Sequence, residues 1–249
     1  MDLKDRVALV AGGTGTLGIA IAQALAKEGA HVAITYLERK DAARETCAAV
    51  EGLGRKAWSV ALDQTDAGAI SPAIEAVVGH FGRLDALVNN AAWNISIPFP
   101  DLEALDASVW DRLFSTNLRG PYLLCRAAAP HLKASGSGRI VNIASVAGLN
   151  PGGSSIAYAT SKAGLIHLSR CLAVALAPQV SVNCVAPGLM DGTRMTSRLR
   201  PEQVEGSRQR AVLKRAASVE DVADQVVAFC RTDSVTGQVL NIDAGIFFH

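Results

Sequence analysis

The sequence predicts an α/β fold: a doubly wound, seven-stranded parallel sheet with helices on both faces. Three observations predict it. Short β-branched runs alternate with longer helical patterns along all 249 residues, and parallel strands need such crossover helices. Most of the strand-like runs lack polar alternation, as strands covered on both faces should. A glycine-rich turn joins the first run directly to the first helical pattern.

Taken in order, residues 6–11 (RVALVA) read as the first strand, followed by the turn and a helix over 18–28. Residues 31–35 (HVAIT) and 57–61 (AWSVA) are the second and third strands, with a helix over 40–52 between them. A helix over 66–81 leads to the fourth strand, 86–89 (ALVN), and a long helical pattern over 107–132 to the fifth, 139–143 (RIVNI). A helix over 157–176 precedes the sixth strand, 180–185 (VSVNCV), and a helix over 219–230 the seventh, 238–242 (QVLNI). No repeat, low-complexity linker or composition shift divides the chain, so residues 1–249 are expected to form one domain,.

Composition narrows the function classes. With 49% hydrophobic and 19% charged residues the chain is neither disordered, collagen-like nor a coiled coil,. A net charge of +1 offers no global attraction for nucleic acid or a membrane surface,. The first residues carry charges and no apolar leader region, and the longest charge-free stretch, 140–161, is broken by Asn, Gly, Pro and Ser,. Five scattered cysteines read as reduced core residues of a cytoplasmic protein, and the five histidines show no metal-ligand spacing,.

The turn Gly12-Gly13-Thr14-Gly15-Thr16-Leu17-Gly18 is the first chemical signal. Glycines let the backbone approach a pyrophosphate at a helix N-terminus, where free N–H groups favour an anion. A glycine cluster alone also fits a purely structural turn. Tyr158 and Lys162 stand four apart at the start of a predicted helix, on one face,. Such a pair is ordinarily a surface pair. A phenol near pKa 10 is a poor acid–base group at neutral pH, and an adjacent ammonium favours its phenolate. Ser145 follows the fifth strand, at the carboxyl end of the sheet, where a hydroxyl can meet a substrate oxygen.

Together these features resemble the short-chain dehydrogenase/reductase family over the whole chain. The resemblance rests on the glycine-rich turn, Asp63, Asn89-Asn90-Ala91-Ala92, Asn117, Ser145, Tyr158-x-x-x-Lys162, Pro187-Gly188 and Asp243-Ala244-Gly245. It implies a Rossmann-like fold and hydride transfer between a nicotinamide cofactor and a carbonyl or alcohol. By that resemblance Tyr158 is the acid–base group, and Lys162 holds the cofactor ribose and lowers the Tyr158 pKa. Ser145 orients the substrate oxygen, and Asn117 supports a water chain from Lys162. Gly12, Thr14, Gly15, Thr16 and Leu17 meet ribose and phosphates. Asp63 and Gln64 border the adenine, Asn90 and Ala91 the ribose, and Pro187, Gly188 and Thr193 the nicotinamide side. Thr16 stands where the family has its middle glycine, Ala11 replaces a threonine and Ala92 a glycine.

Pro121 lies inside the helical pattern that holds Asn117, and a proline offers no N–H to the carbonyl four residues earlier,. The Asn117 carbonyl is therefore expected to be open to a water of the relay; a kink serving packing alone is the other reading. The expected substrate wall is Trp93, Ile95, Leu149, Pro151, Leu189, Met190 and Met195, apolar with one large aromatic; Trp93 also suits a core or interface position. The expected substrate is a small apolar ketone or alcohol. Residues 194–215, where the family has its lid, carry Arg194, Arg198, Arg200, Arg208, Arg210, Lys214 and Arg215 against Glu202 and Glu205. That is either a solvated face or an attraction for an anionic substrate, and a 3-oxoacyl thioester reductase is the alternative function. A catalytically idle binding member of the fold is the alternative class.

NADP(H) is expected over NAD(H), because Tyr36 stands where an NAD-preferring strand ends in an acid and Arg39 and Lys40 follow,. Glu38 and Gly15, which replaces a basic residue of the turn, speak the other way. Helical patterns apolar nearly all round, 110–132 and 164–176, call for a further partner; a homotetramer is expected, with a homodimer as the alternative,.

Overall fold

The computed structural model describes all residues except Arg194, Met195, Arg200 and His249, and all their side chains except those of Arg198 and Gln203. Seven parallel strands are ordered β3-β2-β1-β4-β5-β6-β7. They are β1 (Val7–Ala11), β2 (His31–Tyr36), β3 (Ala57–Ala61), β4 (Ala86–Asn89), β5 (Gly138–Ile143), β6 (Val180–Pro187) and β7 (Val239–Ile242). The order reverses between β1 and β4, and a ligand crevice opens at such a switch, beyond the carboxyl ends of the strands. In register, Ala11 pairs with Asn89, and Asn89 with Asn142. The segments after these residues thus emerge side by side.

Helices α1 (Thr16–Lys27), α2 (Lys40–Glu51) and α8 (Val219–Arg231) cover one face. There Ile21, Leu25, Val50, Val222 and Val226 pack with Ala8, Val10 and Val32. On the other face α3 (Ala67–Phe81), α5 (Gly120–Ala134) and α6 (Ile156–Leu176) bring Ile74, Leu124 and Leu172 against Val7, Leu9 and Leu87. Alternate β1 side chains thus enter opposite cores although the whole strand is buried,.

The long pattern over 107–132 is not one helix. It divides into α4 (Ala107–Phe114), a π turn (Ser115–Arg119) and α5. Pro121 enters in the first turn of α5, and the Gly120 N–H reaches back five residues to the Ser115 carbonyl. A helix that must accommodate a proline without an N–H here takes one wider turn. A helix absent from the sequence reading, α7 (Pro201–Arg210), follows the sixth strand; its sequence PEQVEGSRQR has no apolar stripe to announce it,. None of the described helices is long and apolar enough to cross a membrane.

Candidate active site

The glycine-rich turn is shaped by close approach. A Cβ on Gly12, whose φ is +74°, would stand 2.8 Å from Ala91, and one on Gly18 would stand 2.2 Å from the Gly12 carbonyl oxygen. Three side chains from β2 and beyond hold three successive turn residues. The Gly12 N–H donates to Thr35 Oγ1 (3.0 Å), Thr46 Oγ1 donates to the Gly13 carbonyl (3.1 Å), and Arg39 Nη1 donates to the Thr14 carbonyl (3.0 Å). Asn90 Nδ2 ties the β4 loop to the same turn through the Gly12 carbonyl at 3.0 Å. Thr35 and Thr46 were not singled out in the sequence; a threonine at a strand end or helix position gives no signal until its partner is known.

A cofactor phosphate fits this turn on structural grounds. Helix α1 begins at Thr16, two residues before the sequence reading placed it, and its N-cap Gly15 supplies no side-chain hydrogen bond. A Cβ on Gly15 would meet nothing nearer than 4.0 Å. The first-turn amides are therefore without a side-chain acceptor beside open space, as anion binding requires. Thr16 and its neighbour Gly15 are exposed here, whereas Leu17 points into the core.

The four residues of the proposed reaction centre come from three elements. Ser145 follows β5, Asn117 sits in the π turn, and Tyr158 and Lys162 lie on α6. Ser155 caps α6, its Oγ accepting from the Tyr158 N–H at 3.2 Å, and so fixes where the helix carrying the phenol begins. Tyr158, Lys162 and Asn117 are buried, at 5%, 3% and 1% exposure. The Ser145 hydroxyl lies near the Tyr158 phenol; its Oγ accepts from the Ala147 N–H at 3.2 Å and donates to the Pro187 carbonyl at 3.5 Å. Lys162 Nζ donates to the Ile143 carbonyl at 2.7 Å and lies 5.9 Å from the Tyr158 ring centre.

Burial pushes the Tyr158 phenol above its ordinary value, and the group pulling it back is the Ser145 hydroxyl. Lys162 is itself driven down by burial, to about 8. Its Nζ is held by the Ile143 carbonyl.

The side chain of Asn117 is spent on the loop after β4. Its Oδ1 accepts from the Trp93 N–H and its Nδ2 donates to the Trp93 carbonyl, both at 2.9 Å. Nδ2 also donates to Ser161 Oγ (3.2 Å), which donates to the Tyr158 carbonyl (2.7 Å). Ser161 is thus a buried link between Asn117 and α6 that the sequence did not announce; its place between Tyr158 and Lys162 was the available signal.

Other expected residues divide. Asp63 accepts from the Thr65 N–H and hydroxyl, at 2.8 and 2.7 Å. Gln64 turns inward and donates to the Ala91 and Thr116 carbonyls (3.2 and 2.7 Å). Tyr36 ends β2, with Arg39 beside it in the next loop. Pro187 ends β6, and Gly188 donates to the Ile242 carbonyl at 2.9 Å. Thr193 is engaged with Met190 and Thr196.

Of the expected substrate wall, Trp93 and Ile95 join the cluster that contains Tyr158 and Leu113. The Arg112 guanidinium lies 4.2 Å over the Trp93 ring. Leu149 packs instead with Leu165, Ile166 and Cys184, and Met190 with the α1–α8 core. Pro151 is exposed, Leu189 is half-buried, and Met195 lies outside the described residues. The basic segment is less free than its sequence suggests, because Arg208 pairs with Asp191 (2.9 Å) and Glu205 (3.7 Å). Arg194 and Arg200, and the Arg198 side chain, lie outside the description.

A doubly wound parallel sheet, an uncapped glycine-rich helix start and a buried Tyr158 and Lys162 near Ser145 define a nucleotide-binding oxidoreductase. The chain belongs to the short chain dehydrogenase family, whose model matches residues 6–204, and is an NAD(P)-dependent oxidoreductase. It is 39% identical over 241 residues to the granaticin polyketide synthase putative ketoacyl reductase 2 of Streptomyces violaceoruber, covering 96% of this chain and 95% of that one. Among solved structures it is similar to a short chain dehydrogenase from Burkholderia cenocepacia J2315 in complex with NADP (TM-score 0.91, 35% identity, 99% of each chain). It is similar also to an NAD+-bound xylitol dehydrogenase (TM-score 0.90, 28% identity, 98% of this chain and 100% of that one).

Proposed function

We propose that this enzyme interconverts a small, mainly apolar ketone and its secondary alcohol, with Tyr158 as the acid–base group. The observation that carries the reading is the half-buried Ser145 hydroxyl placed near the buried Tyr158 phenol, with the buried Lys162 one helical turn away. A bound nicotinamide supplies the hydride in reduction and accepts it in oxidation. Tyr158 delivers a proton to the carbonyl oxygen in reduction and removes it from the hydroxyl in oxidation. Ser145 donates a hydrogen bond to the same oxygen. Lys162 holds the cofactor ribose hydroxyls, and the Asn117 carbonyl, which the Pro121 nitrogen cannot serve, takes a water leading to solvent.

Gly12, Thr14, Gly15, Thr16 and Leu17 hold the phosphates and adjoining ribose through backbone amides. Asp63 and Gln64 border the adenine, Asn90 and Ala91 the ribose, and Pro187, Gly188 and Thr193 the nicotinamide side. Trp93 and Ile95 form the apolar side of the substrate space, which favours an uncharged ketone; Leu149, Pro151, Leu189, Met190 and Met195 complete the proposed wall. NADP(H) is the preferred nucleotide, on the strength of Arg39 beside Tyr36. A 3-oxoacyl thioester is the second substrate class, supported by the ketoacyl reductase relative.

The enzyme works in the cytoplasm as a homotetramer or homodimer. Support comes from an apolar groove of about 750 Å³ between α4, the π turn and α6, lined by Phe114, Leu118, Tyr122 and Leu168 among others. Val174, on the same helix α6, is 82% exposed.

Oxidation of NADPH and NADH with a panel of ketones and 3-oxoacyl thioesters tests the reading. Turnover of apolar ketones is expected. Turnover of thioesters alone would favour the second class, and none with any carbonyl would leave a nucleotide-binding protein without this reaction.

A further inference from the structure

The reaction centre is split between two elements: Ser145 rides on the end of β5, while Tyr158 and Lys162 ride on α6. Their hydroxyls must meet within tenths of an ångström, since misplacement by about 1 Å costs on the order of 10²-fold in rate. The packing between these elements is largely apolar, with Ala144, Leu165 and Ile166 in one cluster. Apolar contacts are non-directional and do not fix a helix along a strand.

Two features do fix it. Seven residues after Lys162, on the same face of α6, Ser169 is completely buried. Its Oγ accepts from Asn142 Nδ2 at 2.8 Å and donates to the Leu165 carbonyl at 2.8 Å. Asn142, also fully buried, is the residue of β5 just before Ile143, whose carbonyl holds Lys162. Its Oδ1 accepts from Asn89 Nδ2 at 2.7 Å, so the tie is anchored in turn on β4. The second feature is Gly148, in the short turn that Ser145 opens. A Cβ there would stand 2.6 Å from the Lys162 carbonyl carbon and 2.7 Å from the Ala163 nitrogen. The turn therefore rests directly on the α6 backbone.

We infer that Ser169, Asn142 and Gly148 form a register clamp between β5 and α6 that sets the separation of the Ser145 hydroxyl from the Tyr158 phenol. They are positioning residues for the reaction proposed above, on which this inference rests. The Lys162–Ile143 bond alone is not enough, because Lys162 is also assigned to the cofactor ribose. The Ser169–Asn142 tie lies two turns away and stays intact whichever partner Lys162 takes.

The test compares wild type, Ser169→Ala and Gly148→Ala, each with NADPH and the best ketone of the panel, together with crystal structures of the three. In Ser169→Ala, kcat is expected to fall on the order of tenfold while the KM for NADPH stays within about threefold, because the phosphate turn on β1 is untouched. The Ser145–Tyr158 hydroxyl separation is expected to lengthen by about 0.5 Å, the tolerance of such sites. Ser169→Thr, which returns the hydroxyl, should recover most of the rate. An unchanged separation with wild-type kcat overturns the inference, and so does a lowered melting temperature with unaltered kinetics. Should Ser169→Ala fail to fold, Gly148→Ala is judged by the same two readouts. The separation is read without turnover, so failure of the proposed reaction, seen as a fully active Tyr158→Phe, is distinguishable from failure of the clamp.

Discussion

Helices α1 and α6 both begin at the carboxyl edge of the sheet, yet their first turns are built in opposite ways. Helix α1 opens on Gly15 with no side-chain cap, and Gly15 and Thr16 are exposed. Helix α6 opens on the wholly buried Ser155, which occupies the Tyr158 N–H. Helices α3, α4 and α8 are capped in the manner of α6, by Asp66, Asp106 and Ser218. An uncapped start keeps backbone amides for a ligand, whereas a capped one spends them on holding the helix still. On the proposed reading, one helix binds with its end and the other works with its side chains.

Removing the side-chain chemistry of α6 has the largest expected effect. Tyr158→Phe keeps the ring and deletes the proton carrier, so kcat should fall at least about 10²-fold with nucleotide affinity retained. Steady-state kinetics beside nucleotide titration checks both halves. Ser145→Ala sharpens the point through pH. Burial raises the phenol and Ser145 lowers it, so the variant leaves burial unopposed. The rising limb of the alcohol-oxidation profile should then move to higher pH, because more hydroxide is needed to form the phenolate. A limb that stays in place or moves down would exclude Ser145 as the opposing group.

Disabling the end of α1 should do the reverse. A Cβ at Gly18 meets the Gly12 carbonyl at 2.2 Å and the Asn90 amide at 3.0 Å, which forces the turn out of shape at a cost of about 1–3 kcal/mol. Gly18→Ala should weaken NADPH and NADH alike, by roughly 10–100-fold, while kcat at saturating nucleotide changes little. Fluorescence titration with both nucleotides reads this directly. Equal losses in kcat would mean that the two helices are not separable in function.

The sequence carried most of this arrangement, and what it hid has a physical reason. All seven strands and the six helical patterns were visible because both faces of the sheet are buried and the crossovers are periodic. Ser145, Tyr158 and Lys162 could be named in advance, and the fold places them near one another between the end of β5 and the start of α6. Pro121 betrayed a disturbance near Asn117 but not its form, since a π turn depends on where the displaced carbonyls find donors. Helix α7 has no apolar face and left no pattern. The links through Ser161, Ser169 and Thr46 join residues 27 to 44 positions apart, and hydroxyls at such distances give no periodic sign. The Tyr158–Lys162 spacing suggested an ammonium near a phenol; only the fold shows that Nζ, 5.9 Å from the Tyr158 ring centre, donates to the Ile143 carbonyl.

The cap itself can be withdrawn from α6. Ser155→Ala leaves the Tyr158 N–H without its side-chain acceptor at a fully buried helix start. N-cap losses run about 0.5–2 kcal/mol, and burial places this one near the top. A lowered denaturation midpoint is expected, with nucleotide affinity at the distant α1 start unchanged. A variant as stable as wild type would show that α6 is held by its packing alone.

Helix α2 supplies the finest test, because it too opens without a side-chain cap, and its N-cap residue is Arg39. A bare helix start beside a guanidinium favours an anion, and Tyr36 at the end of β2 brings no carboxylate to repel one. If a 2′-phosphate sits there, Arg39→Ala should weaken NADPH by about fivefold, the scale of one exposed charge-assisted contact. NADH should lose less. Some loss is expected even for NADH, because Arg39 also holds the Thr14 carbonyl of the phosphate turn. The ratio of the two losses therefore separates the roles: a ratio well above one assigns Arg39 to the 2′-phosphate, and a ratio of one leaves it only the turn. NADH binding to wild type as tightly as NADPH would remove the preference altogether, and with it the reason for treating the α2 start as a second anion site.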